Sequence, residues 1–238
     1  MVTAQNLKIK IFGDGADLVG IRVLTKDPLI SGFTTNPTLM NQAGVADYLS
    51  FAREVVTIVG DKPLSLEVFS DEFDEMKRQA RTLFGLSSSV YVKIPITNCR
   101  GESSSETVRT LSGEGVKINV TAVFTMKQVE TTLMALRGGA SSFISIFAGR
   151  IADAGIDPIP MMQQALQMMS NDPQVELIWA SPRELLNIVQ ANDIGCHVIT
   201  VTHELLKKLP ILGRNLEEFS LDTIKMFAND ALAAGYTL

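Results

Sequence analysis

The chain is poor in the residues that form metal sites and cross-links. Its 238 residues include two cysteines and two histidines. Cys99 and Cys196 have neither the spacing of a metal site nor the number needed for a disulfide framework. Two histidines are too few for a His-rich zinc site, and no group of carboxylates has EF-hand spacing. We therefore expect no bound metal and a reducing, cytoplasmic location.

Long apolar runs and an excess of basic charge are lacking as well. No stretch approaches the roughly 20 apolar residues of a membrane span, and the N-terminal MVTAQNLKIKIFGDG has no signal-peptide run. The net charge of −5 argues against nucleic acid as a partner, because nucleic acid requires a basic surface. Neither a membrane nor a nucleic acid is therefore expected as a partner, and any anion bound here must meet a local cluster of positive charge.

What the chain does contain is an eightfold alternation of strand-like and helix-like segments. The β-branched runs lie at residues 8–14, 31–36, 64–69, 90–96, 117–124, 142–149, 176–181 and 197–202. Most are separated by about one helix length, which predicts an α/β fold, a single-domain (β/α)8 TIM barrel over residues 1–238. The rival is a doubly wound open sheet, but no G-x-G-x-x-G fingerprint follows an early strand.

Two helix starts carry capping signals. Ser103 followed by Glu106, and Ser181 followed by Glu184, fit capping boxes, and Pro182 suits the first position of a helix. We therefore expect one helix to begin after Ser103 and another after Ser181.

The segment after the eighth strand is predicted to be helical. His203 opens HELLKKL, which suits the last barrel helix, and we expect His203 at the surface. Residues 215–238 contain Ile224 and Phe227 at helical spacing, which predicts a C-terminal helical extension. This helix can pack against the barrel or against another subunit.

Polar side chains stand near the ends of nearly all predicted strands. They are Asp14, Thr34, Asn36, Glu67, Lys93, Thr121, Ser145 and Ser181. In a barrel the C-terminal strand ends form one rim, where catalytic groups cluster. A barrel stabilised only by packing would have Val, Ile and Leu at its inward positions, so this rim predicts an active site.

Lys93 lies in the middle of the strand VYVKIPI. Alternation directs Val92 and Ile94 toward the helices and Lys93 toward the barrel axis. Apolar surroundings drive an amine toward its neutral form, which attacks carbonyls and forms Schiff bases. The alternative is a structural ion pair with Asp14 or Glu67.

Three other rim residues suit proton transfer. Schiff-base chemistry needs it, and Asp14 and Glu67 near the Thr121 hydroxyl could supply it through an ordered water. Asp14 can also be a turn residue of GDG. Glu67 lies between apolar neighbours, which is costly unless it has a partner or a function.

Two arginines follow late strands. Arg150 comes after SIFAG, and Arg183 lies two residues after Ser181. Two guanidinium groups at a helix N-terminus suit a phosphate dianion. Alternatively, Ser181 only caps its helix and both arginines are solvated. The pair favours a phosphorylated carbonyl compound as the substrate.

With these residues the chain resembles the transaldolase family, specifically its short members. The motifs GFTTNPTL, VYVKIPIT, INVTAVF, SIFAGRIADAGIDP and WASPRE follow the family's order nearly end to end. The resemblance implies that Lys93 forms a Schiff base with a ketose phosphate and that no metal or organic cofactor is needed. It implies that Asp14 takes the proton from the hydroxyl beside the cleaved bond. Glu67 and Thr121 are then expected to hold the catalytic water.

The resemblance also implies a set of substrate-binding residues. These are Thr34, Asn36, Ser145, Phe147, Arg150, Ser181 and Arg183. Pro182 departs from the pattern, because larger transaldolases usually carry an aromatic residue there.

The family contains two activities that the sequence separates at two positions. Fructose-6-phosphate aldolase has glutamine and tyrosine where this chain has Glu67 and Phe147. The expected activity is therefore transfer of a dihydroxyacetone unit between sugar phosphates, as in the pentose phosphate pathway. Free aldol cleavage is the enzymatic alternative, and a catalytically silent sugar-phosphate-binding barrel is the non-enzymatic one. The resemblance also implies a homo-oligomer.

Overall fold

Eight parallel strands close into a barrel in chain order. A computed structural model describes residues 3–237 of the chain. The strands are β1 (Lys10–Asp14), β2 (Ile30–Thr34), β3 (Leu64–Glu67), β4 (Val90–Pro95), β5 (Ile118–Val123), β6 (Ser142–Ile146), β7 (Val175–Trp179) and β8 (Val198–Thr202). Each predicted run overlaps one of these strands, although β2 and β7 each begin one residue before the predicted run, and the predicted (β/α)8 barrel is confirmed.

Helices connect the strands and follow the last one. They are α1 (Leu18–Leu24), α2 (Pro37–Gln42), α3 (Tyr48–Val59), α4 (Phe73–Phe84), α5 (Ser105–Gly113), α6 (Met126–Leu136), α7 (Ala148–Asp153), α8 (Ile159–Met168), α9 (Leu185–Asp193), α10 (His203–Leu206) and α11 (Leu216–Ala234). Helix α11 lies where the C-terminal helix was expected. Within residues 3–237, no helix combines the length and apolar character needed to cross a bilayer.

Successive side chains along each strand point alternately toward the helices and into the barrel, which gives two separate apolar clusters. Val92 and Ile94 of β4 belong to the outer cluster between strands and helices. Tyr91 packs on the inner cluster that contains Phe12 and Phe143, with 4.3 Å between the Tyr91 and Phe143 ring centroids. Lys93 is two residues after Tyr91 and therefore faces the barrel interior, as predicted.

The predicted capping box at Ser103 is wrong. Helix α5 begins at Ser105, after the N-cap residue Ser104. Ser103 instead forms an antiparallel bridge with Thr97, and its Oγ accepts the Ser105 N–H at 3.2 Å. Because pairing with Thr97 engages the backbone of Ser103, the helix starts later than expected.

The predicted capping box at Ser181 is also wrong. Ser181 has a φ of +62°, in the left-handed region, whereas an N-cap residue needs an extended backbone. Helix α9 begins at Leu185, and its N-cap residue is Glu184. The Glu184 N–H donates to Asn187 Oδ1 at 3.2 Å. Pro182 therefore lies in the loop before the helix.

At Gly149, the beginning of α7 packs closely against the backbone that follows β7. The run at residues 142–149 ends as a strand at Ile146, and Gly149 is already helical. Its N–H donates to Ala180 O at 3.3 Å, and a methyl group on Gly149 would lie 1.6 Å from Ser181 O. This close approach requires glycine, so it fixes the turn after β6 against the turn after β7.

We expect Gly149→Ala to destabilise the protein by about 2 kcal/mol, because the added methyl group must displace the Ser181 carbonyl. Thermal unfolding measures the effect. Gly113→Ala is the matched control, since Gly113 ends α5 and has no atom within 4 Å of the added methyl group. Equal unfolding temperatures for the two variants would contradict the proposed contact.

Candidate active site

A cavity of about 370 Å³ opens at the C-terminal ends of the strands. Its lining includes Asp14, Thr34, Asn36, Glu67, Lys93, Thr121, Ser145, Phe147, Arg150 and Ser181. The structure thus brings together all of the sequence-predicted site residues except Arg183. Parallel strands explain the arrangement, because all their C-terminal ends meet at one end of the barrel.

Lys93 has both an acidic partner and access to this cavity. The side chain is buried, and its Nζ donates to Thr35 O at 3.0 Å. Glu67 is its direct neighbour across the β3–β4 pair, with Oε2 at 3.3 Å from Nζ. The ion pair that the sequence left open is therefore present, and Lys93 also lines the space that a ligand would enter.

Asp14 is the last residue of β1 rather than a residue of the following turn. Thr34 Oγ1 donates to its Oδ1 at 2.7 Å and also contacts Thr200 Oγ1. Burial raises the pKa of Asp14, and the positive charges of Lys93 and His203 and the Thr34 hydrogen bond oppose this rise. Asp14 thus has an environment in which proton uptake is easier than at an exposed aspartate.

Two residues with left-handed backbones widen the set of side chains that reach the cavity. Ala122 has φ +58° and Ser181 has φ +62°. As a result, the consecutive residues Thr121 and Ala122, and likewise Ala180 and Ser181, line the cavity together, which regular alternation would prevent. Strained non-glycine residues of this kind concentrate at functional sites.

The hydroxyl groups of Thr121 and Ser145 differ in their hydrogen bonding. Ser145 Oγ donates to Asn119 Oδ1 at 2.7 Å, and Asn119 Nδ2 donates to Ser65 Oγ at 2.9 Å, forming a buried chain across the barrel. Thr121 Oγ1 is buried and has no hydrogen-bond partner among the described residues. The Thr121 hydroxyl is therefore the one available to a ligand or a water.

The two arginines are placed differently. Arg150 lines the cavity, and its guanidinium carbon lies 5.3 Å from the centroid of the Phe147 ring. Arg183 is half-exposed and pairs with Asp153, with Nε at 3.0 and 3.1 Å from the two carboxylate oxygens. Of the two arginines expected to bind phosphate, Arg150 therefore lines the cavity in this structure and Arg183 does not.

Asn36 combines a structural role with a place at the cavity. It is the N-cap residue of α2, and its Oδ1 accepts the Leu39 N–H at 3.0 Å. Since the oxygen is engaged, the amide NH₂ remains as its donor toward a ligand.

Sequence reasoning missed some of the lining, including Thr38, Gln42 and Thr200. Thr200 follows the inward alternation of β8, two residues before Thr202, and this pattern could have identified it. Thr38 and Gln42 carry no such signal, because they lie on α2 and reach the cavity only through its packing over the rim. Across residues 3–237, no group of three or more His, Cys, Asp or Glu side chains is arranged to hold a metal ion.

The closed barrel and its polar C-terminal rim define a (β/α)8-barrel protein with an enzyme-like site. The family model for transaldolase/fructose-6-phosphate aldolase matches residues 11–237. The chain belongs to this family.

Curated relatives agree with that assignment. The chain is 35% identical to a "Probable transaldolase" of Thermoanaerobacter sp. over 90% of this chain and 96% of the relative. It is 36% identical to a "Probable transaldolase" of Chelativorans sp., with 91% and 97% covered. These names point to an enzyme of the aldolase and aldehyde-transferase kind.

Solved structures of other enzymes share the fold. A dihydrodipicolinate synthase from Rhodopseudomonas palustris superposes with a TM-score of 0.59 at 14% identity, covering 98% of this chain and 82% of that one. A 2,3-dimethylmalate lyase gives 0.55 at 14% identity, covering 99% and 90%. At such identities the likeness concerns the fold alone.

Proposed function

We propose that this protein is a transaldolase, which transfers a three-carbon dihydroxyacetone unit from a ketose phosphate to an aldose phosphate through a Schiff base on Lys93. The observation that carries the proposal is the buried Lys93 amine at a cavity that Asp14 and Glu67 also line. The proposal includes a cytoplasmic location and a place in the pentose phosphate pathway.

In the first step, Lys93 Nζ adds to C2 of a ketose phosphate such as fructose 6-phosphate. The amine must be neutral, and Glu67 Oε2, 3.3 Å away, is positioned to take its proton. The resulting carbinolamine loses its C2 oxygen as water and becomes an iminium ion. Glu67 and the Thr121 hydroxyl, which has no hydrogen-bond partner in the described part of the chain, suit the binding of that water.

In the second step, Asp14 removes the proton of the C4 hydroxyl. The C3–C4 bond breaks, and its electron pair passes to the iminium, leaving an enamine on Lys93 and releasing glyceraldehyde 3-phosphate. Burial favours the protonated form of Asp14, so the carboxylate is a competent base and the acid it forms can return the proton. An acceptor such as erythrose 4-phosphate then enters, and the steps reverse to give sedoheptulose 7-phosphate.

We assign the phosphate group of the substrate to Arg150, which shares the cavity lining with Ser145 and Ser181. Arg150 lines the cavity and its guanidinium lies beside the Phe147 ring, which limits its freedom. A charge-assisted hydrogen bond to phosphate suits this group. Arg183 can join the site only by leaving Asp153.

We expect sodium borohydride to trap a three-carbon fragment on Lys93 in the presence of fructose 6-phosphate, because borohydride reduces the iminium formed at this amine. Peptide mass spectrometry locates the adduct. Lys93→Met is the control, since it keeps the length of the side chain and removes the amine. Absence of an adduct on Lys93 in an otherwise folded protein would refute the covalent step.

The same preparation separates transfer from the two alternatives. A transaldolase forms sedoheptulose 7-phosphate when erythrose 4-phosphate is supplied and releases little dihydroxyacetone without it. Rapid release without an acceptor indicates the fructose-6-phosphate aldolase activity. Binding of sugar phosphate by Lys93→Met, together with no turnover by the parent protein, indicates a silent barrel.

We expect Arg150→Ala to raise the KM for fructose 6-phosphate about tenfold or more, because it removes a charge-assisted contact to the phosphate. Arg183→Ala is expected to change KM less than about threefold, since Arg183 is half-exposed and already paired with Asp153. Steady-state kinetics measure both values. An equal or larger effect of Arg183→Ala would show that Arg183 turns into the cavity and binds the phosphate.

We also propose that the protein is a homo-oligomer assembled through α11. This 19-residue helix contributes no buried residue to the chain described here. Seven large apolar side chains of this helix are at least 41% exposed: Leu216, Phe219, Leu221, Ile224, Met226, Phe227 and Leu232. An apolar surface of this extent is typical of an interaction site.

We expect the double substitution Ile224→Glu and Phe227→Glu to lower the molecular mass in solution, because it places charges on the apolar side of α11. Multi-angle light scattering measures the mass. Lys225→Glu, a change at an exposed polar position of the same helix, is the control. A monomeric parent protein, or an unchanged mass in the double variant, would exclude α11 as the interface.

A further inference from the structure

Thr200 is a buried hydroxyl residue of β8 that lines the cavity and takes no part in the steps described above. It faces the barrel axis, because Val198, two residues earlier on the same strand, packs in the inner apolar cluster. Its neighbour across the β1–β8 pair is Phe12, another member of that cluster. Thr200 therefore lies at the boundary between the apolar interior of the barrel and the polar rim.

The Thr200 hydroxyl is linked to Asp14 through Thr34. Thr200 Oγ1 and Thr34 Oγ1 are in hydrogen-bond contact, and Thr34 Oγ1 donates to Asp14 Oδ1 at 2.7 Å. Thr34 is buried as well, and it is the register partner of Asp14 in the β1–β2 pair. Three adjacent strands of the closed barrel, β8, β1 and β2, thus each supply one member of a single hydrogen-bonded chain.

The number of protons fixes the direction of this chain. A hydroxyl group has one proton to donate, and an ionised carboxylate can only accept. The Thr34 proton therefore goes to Asp14, and the contact between the two hydroxyls is made with the Thr200 proton. A hydroxyl that itself accepts a hydrogen bond becomes a stronger donor, so Thr200 strengthens the bond from Thr34 to Asp14.

The chain also distinguishes the two oxygens of the Asp14 carboxylate. Thr34 engages Oδ1, so Oδ2 is the atom available to take a proton from a substrate. A carboxylate held at one oxygen keeps a fixed orientation, which proton transfer requires. The bond from Thr34 also supports the ionised form, against the desolvation that raises the pKa of Asp14.

We propose that Thr200 is a positioning residue for Asp14: its hydroxyl donates to Thr34 Oγ1, which commits the Thr34 proton to Asp14 Oδ1 and leaves Oδ2 as the base. The catalytic consequence rests on the proposed function. The coupling between the three side chains does not, so it can be measured without turnover.

Other titratable and charged groups lie around Asp14, and the test leaves all of them in place. They are Glu67, Lys93 and Arg150 at the cavity, and Asp17, His203 and Glu204 in the segments that follow β1 and β8. His203 is half-buried, and not at the surface where the sequence predicts it. Because the test variants change only Thr34 and Thr200, their effects on Asp14 report on the hydroxyl chain.

The coupling is tested by NMR titration of the intact protein labelled with ¹³C at the aspartate carboxyl carbons, in which Asp14→Asn identifies the Asp14 signal. Thr200→Val removes the hydroxyl and keeps the shape of the side chain. It is expected to raise the titration midpoint of Asp14 by about half a pH unit, because the ionised form loses support. Thr200→Ser is the matched control, since it retains the hydroxyl, and it is expected to leave the midpoint unchanged.

A double-mutant cycle shows whether Thr200 acts through Thr34. Thr34→Val removes the hydroxyl that contacts Asp14, and it is expected to raise the midpoint by more than Thr200→Val does. In the Thr34→Val background, Thr200→Val is expected to add no further shift, since the link between Thr200 and Asp14 is already broken. Independent, additive shifts would overturn the proposal.

The pH dependence of turnover gives the second readout. Asp14 must be ionised to act as a base, so a higher midpoint moves the acid limb of the kcat profile to higher pH in Thr200→Val and not in Thr200→Ser. The KM for fructose 6-phosphate is expected to change less than about twofold, because the Thr200 proton is directed at Thr34 and not at a ligand. A raised KM with an unmoved limb would show instead that Thr200 binds the substrate, and would overturn the positioning role.

The outcomes separate the two proposals. Thermal unfolding verifies that the variants are folded, and Thr200→Ala removes the same hydroxyl if the valine variant does not fold. An unchanged Asp14 midpoint in the folded variant overturns the role of Thr200, even where stability or kcat falls. A midpoint that shifts as expected in a protein that turns over no sugar phosphate supports the hydroxyl chain and refutes the proposed function.

Discussion

The ion pair between Lys93 and Glu67 is the interaction on which the mouth of the barrel depends. The two side chains face each other across neighbouring strands at 3.3 Å, and both are largely withdrawn from water. A charge in such a position is tolerated only with a partner, and removal of one partner costs roughly 3–5 kcal/mol. The pair therefore links the β3–β4 register to the chemistry, because a one-residue slip would turn one of the charges into the apolar outer core.

Two features give the cavity its shape. Apolar side chains fill the barrel interior, and residues with left-handed backbones lie at the rim. Phe12, Tyr91 and Phe143 fill the barrel interior, so the polar groups have a solid base. At the rim, left-handed backbones at Ala122 and Ser181 direct additional side chains into the cavity. Each such residue costs about 1–3 kcal/mol, which the surrounding packing must offset. The strain lies where a ligand would bind, and the packing that offsets it lies elsewhere.

The sequence predicts the barrel from its eightfold repeat of strand and helix segments, and it predicts the inward-facing strand residues of the cavity from the alternation of side chains along each strand. Lys93 is an example, since Val92 and Ile94 beside it identify which face of β4 is outward. Two expectations fail, the capping role of Ser181 and the place of Arg183 in the cavity, because they depend on tertiary contacts that alternation does not encode. Ser181 has a left-handed backbone against Gly149, and the direction of Arg183 is set by Asp153, a residue thirty positions earlier in the chain.

The two carboxylates of the cavity have different surroundings, and this difference assigns their roles. Glu67 faces the ammonium group of Lys93 directly, which suits a counter-ion that exchanges a proton with the amine. Asp14 is partly buried at the end of β1, where desolvation raises its pKa, and among the described residues it accepts a side-chain hydrogen bond from Thr34. When two acidic residues of one site have environments that shift their pKa values differently, they commonly take different roles in acid–base catalysis. Since burial opposes the ionisation of Asp14, a base at this position requires positive charge nearby, and Lys93 on β4 is the largest source of it.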